Sequence, residues 1–249
     1  MTDSPRAIFF DMDGTILDWQ TGMEESWLAS CEAHRVASHS PVQVHEAIRT
    51  RRTWFWEDSE RAYRGRMDLN GSSRAIVRHA FSDLGLDTVD DVAHRLADFY
   101  RSLRADAISP YAGAIETLET LRARGIKMAL ITNGNAQAQR QAVERFDLAR
   151  HFDCIIIEGE FGCGKPDERV FRHALDTVSC EPASVWMVGD SLEADIATPR
   201  RLGMHTVWVD AAGTGIPATA PVQPHRVVAS IAELGGGSYG ISDDPGSPE

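Results

Sequence analysis

At 249 residues the chain is long enough for one large domain or for a core with a smaller companion. Its 43% hydrophobic and 25% charged residues are ordinary for a soluble globular protein. A formal net charge of -12 argues against a general binder of nucleic-acid polymers or anionic membranes, and no apolar run approaches the roughly 18 residues needed to span a bilayer.

Met1 to Arg6 do not have the pattern of a signal peptide, so the chain is expected in the cytoplasm. Cys31, Cys154, Cys163 and Cys180 lack the paired spacing of a zinc or redox motif and read as reduced thiols. The nine histidines show no metal-ligand spacing either.

The first element is a short buried strand, Ala7-Ile8-Phe9-Phe10, because a continuous apolar run suits a strand covered on both faces. It delivers Asp11-Met12-Asp13-Gly14-Thr15 to the strand's carboxyl end, the edge at which open α/β sheets bind ligands. Asp11 and Asp13 point the same way if the chain stays extended, and Gly14 lets the backbone approach whatever they hold. From about residue 18 to residue 107 the texture changes to helix formers with periodic apolar positions such as Leu96, Phe99, Tyr100 and Leu103. This reads as a helical domain inserted after the first strand.

Inside it, six arginines between Arg49 and Arg66 stand against Glu57, Asp58 and Glu60, a local surplus of +3. Arginine forks suit phosphate or carboxylate, and aromatic faces suit a base or sugar ring. Arg51, Arg52, Trp54, Trp56, Tyr63 and Arg64 are therefore candidates for substrate recognition, set against the plainer reading of a packed core with solvated arginines.

From Ser109 onward helices and strands alternate. A helix from Ala114 to Arg124 stops at Gly125, and the strand Lys127 to Ile131 leads into Thr132-Asn133-Gly134. A hydroxyl and a glycine turn opening the next helix, Ala136 to Phe146, can hold a phosphoryl oxygen. A third strand, Cys154 to Ile157, runs into a glycine-rich loop, Gly159 to Gly164, and then Lys165-Pro166, with Pro166 starting a helix and Lys165 at its N-terminus. The fourth, Val185 to Val188, ends in Gly189-Asp190-Ser191, with Asp195 five residues after Asp190: a carboxylate pair suited to a hard cation. Pro199 implies a kink or a helix restarting with the proline in its first turn. The strands His205 to Val209 and Val227-Val228 follow, and residues 235–249, rich in Gly, Ser, Asp and Pro, read as a disordered tail.

Four strand ends in succession thus carry Asp11 with Asp13, Thr132, Lys165, and Asp190 with Asp195. That set resembles the four motifs of the haloacid dehalogenase superfamily, and the helical insertion is similar to its type-1 cap. The resemblance implies an α/β Rossmann-like core of residues 1–17 and 108–234, a cap of residues 18–107 and hinges near Leu17 to Trp19 and Asp106 to Pro110. It implies a phosphatase acting on a small phosphorylated metabolite, such as a nucleoside monophosphate or sugar phosphate, as monomer or homodimer. Asp11 would be the nucleophile that forms an aspartyl-phosphate, and Asp13 the acid and base. Mg²⁺ would bind Asp11, Asp190 and the backbone carbonyl of Asp13, with Asp195 orienting Lys165 or a metal-bound water. Thr132, the N–H groups near Asn133 and Gly134, and Lys165 would stabilise the transferring oxygens. Haloacid dehalogenases lack the second aspartate, so Asp13 favours phosphate esters. A phosphomutase would retain both aspartates, and a silent ligand-binding relative is the reading from a different class.

Overall fold

The computed structural model describes residues 4–86, 90–220 and 222–236. The chain divides into two compact units, Met1–Asp18 with Pro110–Glu249, and Trp19–Ser109.

The first unit is built on a six-stranded parallel sheet. Its strands are β1 (Ala7–Phe10), β4 (Lys127–Thr132), β5 (Cys154–Ile157), β6 (Val185–Gly189), β7 (His205–Val209) and β8 (Arg226–Val228); β2 (Leu17–Asp18) and β3 (Ser109–Pro110) form a separate two-stranded ribbon. The order β5-β4-β1-β6-β7-β8 puts β1 at the centre, hydrogen-bonded in parallel register to β4 on one side and β6 on the other. The strand order reverses direction at β1, which makes its carboxyl end a topological switch point. All four β1 residues are fully buried, as a continuous apolar strand requires.

Alternation along the strands divides the core. Ala7, Phe9, Ala129, Ile131, Ile156 and Met187 share one face with Val170, Phe171, Ala174 and Leu175 of the helix Glu168–Val178. On the opposite face of the sheet, Ile8, Phe10, Met128 and Leu130 are equally inaccessible to water. Each such side chain contributes about 1.5–3 kcal/mol by its burial, so the strands that present the site are held by a fully buried core.

The second unit is helical: α1 (Met23–Ala33), α2 (Pro41–Glu57), α3 (Ser59–Met67), α4 (Leu69–Asp83) and α5 (Asp90–Ala107). Ser40 caps α2 in a reciprocal capping box with Gln43, and Pro41 occupies its first turn. Its core gathers Trp27, Ile48, Phe55, Ile76, Val77, Phe81 and Leu96, with the rings of Trp27 and Tyr100 stacked at 3.5 Å between centroids. No helix among the described residues is long and apolar enough to cross a membrane.

The remaining helices of the first unit are α6 (Ala114–Ala123), α7 (Ala136–Arg145), α8 (Glu158–Phe161), α9 (Glu168–Val178) and α10 (Thr198–Arg201). Two details depart from the sequence expectations. The stretch after β5 is not wholly loop: α8 forms a helical turn there, its Gly159 lying so close to the start of α7 that a Cβ would come within 2.5 Å of the Ala136 backbone. Helix α9 starts at Glu168 with Asp167 as its cap, so Lys165 stands ahead of the helix rather than at its first turn. The segment around Pro199 follows expectation, a π-helical turn Leu192–Ala197 giving way to α10 with the proline in its first turn. Of the proposed tail, Gly235 and Gly236 are described, the Gly235 carbonyl accepting from Arg124 at 2.7 Å; residues 237–249 lie outside the described residues.

Candidate active site

The site is assembled at the carboxyl ends of β1, β4 and β6. Asp11 continues the β1 ladder, donating its N–H to the Val188 carbonyl of β6 at 2.9 Å. Directly afterwards the chain closes a tight loop, the Met12 carbonyl accepting from Ile16 and Leu17, both at 2.9 Å. Gly14 sits in that loop at φ 84°, and a Cβ there would overlap the Asp190 carboxylate. Only glycine satisfies both the left-handed backbone and the close approach.

Three carboxylates converge. Asp11, Asp190 and Asp195 each offer an oxygen within 4.8 Å of the others. The cation among them is Lys165, its ammonium 2.5 Å from Asp11 Oδ1 and 2.6 Å from Asp195 Oδ1. Burial works to deprotonate Lys165, but the charges of Asp11 and Asp195 outweigh it and raise its pKa, so it stays an ammonium. One lysine does not balance three carboxylates, of which Asp11 and Asp195 are buried and Asp190 is half-buried. Burial, and the charges of Asp195 and Asp190, push the Asp11 carboxyl well above the usual range despite the opposing pull of Lys165. Asp190 is raised to about 7 by burial and then by Asp195. A surplus of mutually repelling, oxygen-only donors is a donor set that fits a hard divalent cation.

Asp195 is placed by close backbone packing: Gly189 at the end of β6 has no Cβ to collide with its carboxyl group, and Asp195 Oδ2 accepts the Ser191 N–H at 2.9 Å. Ser191 caps the π-helical turn through the N–H of Ala194, and the indole of Trp208 donates to the Asp190 carbonyl at 2.7 Å.

Asp13 has a hydrogen-bond partner of its own. Its Oδ2 accepts a hydrogen bond of 2.7 Å from Gln139, and burial raises its pKa while Gln139 and Lys165 pull it back. Thr132, buried at the end of β4, accepts from the same Gln139 amide at 2.7 Å.

Asn133 grips Lys165 by its main chain: its Oδ1 accepts the Lys165 N–H at 2.8 Å and its Nδ2 donates to the Lys165 carbonyl at 2.7 Å. The Gly134 N–H donates to the buried Glu158 at 2.8 Å. The Gly134 N–H, one of those expected near a phosphoryl oxygen, therefore has an internal partner, and the Asn133 side chain engages the main chain of the lysine. Gln139 and Glu158 had no place in the sequence reading. The one available signal for Gln139 was a polar residue on the inward side of α7, opposite no charged partner nearby in sequence.

In the helical unit, Arg51 forms a fork with Asp83, its Nε at 2.5 Å, and Arg52 pairs with Glu24 at 2.5 Å. Arg64 is paired with Glu60 one turn before it. Trp54 packs beside the core with the Arg61 guanidinium 4.1 Å from its ring. Trp56 and Tyr63 are exposed, at 40% and 49%.

An aspartate pair after the central strand, a hydroxyl, a buried lysine and two further carboxylates are gathered at one sheet edge. The haloacid dehalogenase-like hydrolase family model matches residues 5–203, and the chain belongs to that family. It is 26% identical to N-acylneuraminate-9-phosphatase of Rattus norvegicus, over 92% of each chain. It is also 26% identical to the pyrimidine 5'-nucleotidase YjjG of Escherichia coli, over 91% of this chain and 95% of that one. Among solved structures it resembles the putative HAD-hydrolase YfnB of Bacillus subtilis bound to magnesium, with a TM-score of 0.71 and 20% identity over 93% and 97% of the two chains.

Proposed function

We propose that the protein is a Mg²⁺-dependent phosphomonoesterase acting on a small phosphorylated metabolite through an aspartyl-phosphate. The carrying observation is the buried Asp11 held by Lys165 at the switch point of the sheet, with Asp13 two residues away on a separate hydrogen bond. The phosphatase and nucleotidase names of relatives aligned over nine-tenths of the chain support the substrate class.

Asp11 attacks phosphorus, and the bond from phosphorus to the ester oxygen breaks with its electron pair passing to the leaving oxygen. Asp13 gives that oxygen its proton, releasing the alcohol. Asp13, now a carboxylate, takes a proton from a water whose oxygen attacks the phosphorus of the aspartyl-phosphate, freeing phosphate and restoring Asp11. Thr132 and Lys165 stabilise the oxygens that stay on phosphorus. Asp11 and Asp190 would hold Mg²⁺ together with the main-chain carbonyl of Asp13, while Asp195, engaged with Lys165 and Ser191, holds the lysine in place. When bound, the cation offsets the repulsion between a carboxylate nucleophile and an anionic phosphate. Trp56 and Tyr63, with Arg51, Arg52, Trp54 and Arg64 of the same helical unit, are assigned to choosing the leaving group.

The test is phosphate release from a panel of nucleoside monophosphates, sugar phosphates and phosphorylated acids, with Mg²⁺ and with chelator, by wild type and Asp11→Asn. Metal-dependent release that the variant loses by at least about 10³-fold is the expected result. Release that persists in Asp11→Asn would remove the aspartyl-phosphate route, and isomerised sugar phosphate without release would make the protein a mutase.

A further inference from the structure

We infer that Gln139 is a positioning residue that sets the proton-transfer geometry of Asp13 and the hydroxyl direction of Thr132 through a single amide. The inference rests on the phosphatase reading above.

Gln139 is buried in the first turn of α7, where Asn135 caps the helix by accepting the Ala138 N–H at 3.1 Å. Its Nε2 faces three acceptors: Asp13 Oδ2 at 2.7 Å, Thr132 Oγ1 at 2.7 Å and the Asn133 carbonyl at 3.0 Å. An amide offers two N–H donors on one side, so one of them is shared between two of the three acceptors, and only acceptor capacity on the other. Rotating the amide by half a turn would point its oxygen at the Asn133 carbonyl and at Asp13, an arrangement of acceptors against acceptors. The Asn133 carbonyl belongs to the backbone and cannot turn away, so the amide is locked as a donor.

Two consequences follow from that lock. Asp13 receives an N–H on Oδ2, which leaves Oδ1 as the oxygen free to carry and deliver the proton. Thr132 receives an N–H on a hydroxyl lone pair, which leaves its own O–H to donate elsewhere, toward a phosphoryl oxygen held at the sheet edge. One residue therefore aligns the acid from the β1 loop with the hydroxyl from β4. A purely structural glutamine would need no contact with two groups of the reaction.

The experiment compares kcat/KM of Gln139→Met with wild type on phenyl phosphate, whose phenolate needs a proton to leave, and on 2,4-dinitrophenyl phosphate, whose leaving group departs unaided. The Met side chain keeps the length and helix preference while removing both donors. Loss through Asp13 falls on the poor leaving group, so phenyl phosphate is expected to lose at least about 10-fold more kcat/KM than dinitrophenyl phosphate. A smaller loss on dinitrophenyl phosphate, present in addition to that difference, reports the Thr132 contact. The ratio of two substrates on one preparation is independent of the folded fraction, and Gln139→Asn, read in the same ratio, serves if the first variant is insoluble. Equal losses on both substrates, or none, would overturn the inference. The Asp11 dependence of wild-type turnover of dinitrophenyl phosphate is checked first, because its absence would fail the phosphatase reading rather than the role of Gln139.

Discussion

Gly14 carries a constraint out of proportion to its size. It combines a φ of 84° with a backbone so close to Asp190 that any side chain would overlap the carboxylate. Gly14→Ala meets two penalties: a left-handed conformation costing about 1–3 kcal/mol and a displaced Asp190 carboxylate. The variant is expected to lose at least about 10²-fold in kcat, since small misplacements at a reacting centre have effects of that order. Thermal melts with and without Mg²⁺ separate the two penalties. A wild-type increase in melting temperature on adding the metal would be diminished in Gly14→Ala, and an undiminished increase would mean that Asp190 had not moved. Lys165 shows the same economy at the other side of Asp11, where one ammonium serves two carboxylates and Asn133 holds its main chain from both sides.

Among the elements, helix α3 shows where packing overrides propensity. Gly65 lies in its interior, a position at which alanine would ordinarily stabilise a helix by about 1 kcal/mol. A Cβ there would stand 2.7 Å from the Phe55 ring and 3.0 Å from the Trp56 ring of α2. Overpacking of that kind costs about 1–3 kcal/mol and outweighs the propensity gain. Gly65→Ala is therefore expected to be destabilising by about 1 kcal/mol in urea denaturation, with an unchanged slope. A stabilised variant would show that α2 and α3 yield at little cost. The same element scale explains why the aromatic cluster Trp54 to Trp56 reads ambiguously from sequence: consecutive positions on α2 face different ways, Phe55 into the core and Trp56 outward.

Across the whole molecule, the sheet imposes a pH dependence away from the active site. His205 on β7 is packed between the rings of Trp186 at 4.8 Å and His225 at 4.4 Å. Burial, then His225 and Arg200, lower its pKa from 6.5 to about 4, and burial lowers His225 as well. The backbone N–H of Thr206 donates to His225 Nδ1 at 3.0 Å, which requires that nitrogen to be unprotonated. Below the unfolded pKa the unfolded chain binds protons that the folded chain refuses. Stability is thus full above about pH 6.5 and declines as the pH falls toward 4, by about 1–2 kcal/mol for His205 once solvent screening is allowed for. In His205→Phe the decline in melting temperature between pH 6.5 and 4 is expected to be shallower than in wild type. An identical slope would place the acid sensitivity elsewhere.

What lay within the sequence was everything that depends on neighbours along the chain. An apolar strand followed by Asp11, by Thr132 or by Asp190 is a local pattern, and because parallel strands align their carboxyl ends, local strand ends become neighbours at one edge. The long helical run between residues 18 and 107 was visible for the same reason, since a period of 3.6 is a local property. The structure alone decided contacts between residues with no common segment. Gln139 reaches Asp13 across 126 positions, and Asn133 reaches Lys165 across 32. Neither pairing leaves a mark in the sequence, because an amide in a first helical turn or after a strand is an ordinary residue until folding brings an acceptor to it. The destinations of Arg51 and Arg52 were hidden likewise: a local surplus of positive charge gives no account of Asp83 and Glu24, which arrive from other helices. Sequence spacing specified which chemistry was available, and tertiary packing determined which oxygen, which nitrogen and which carboxylate each group meets.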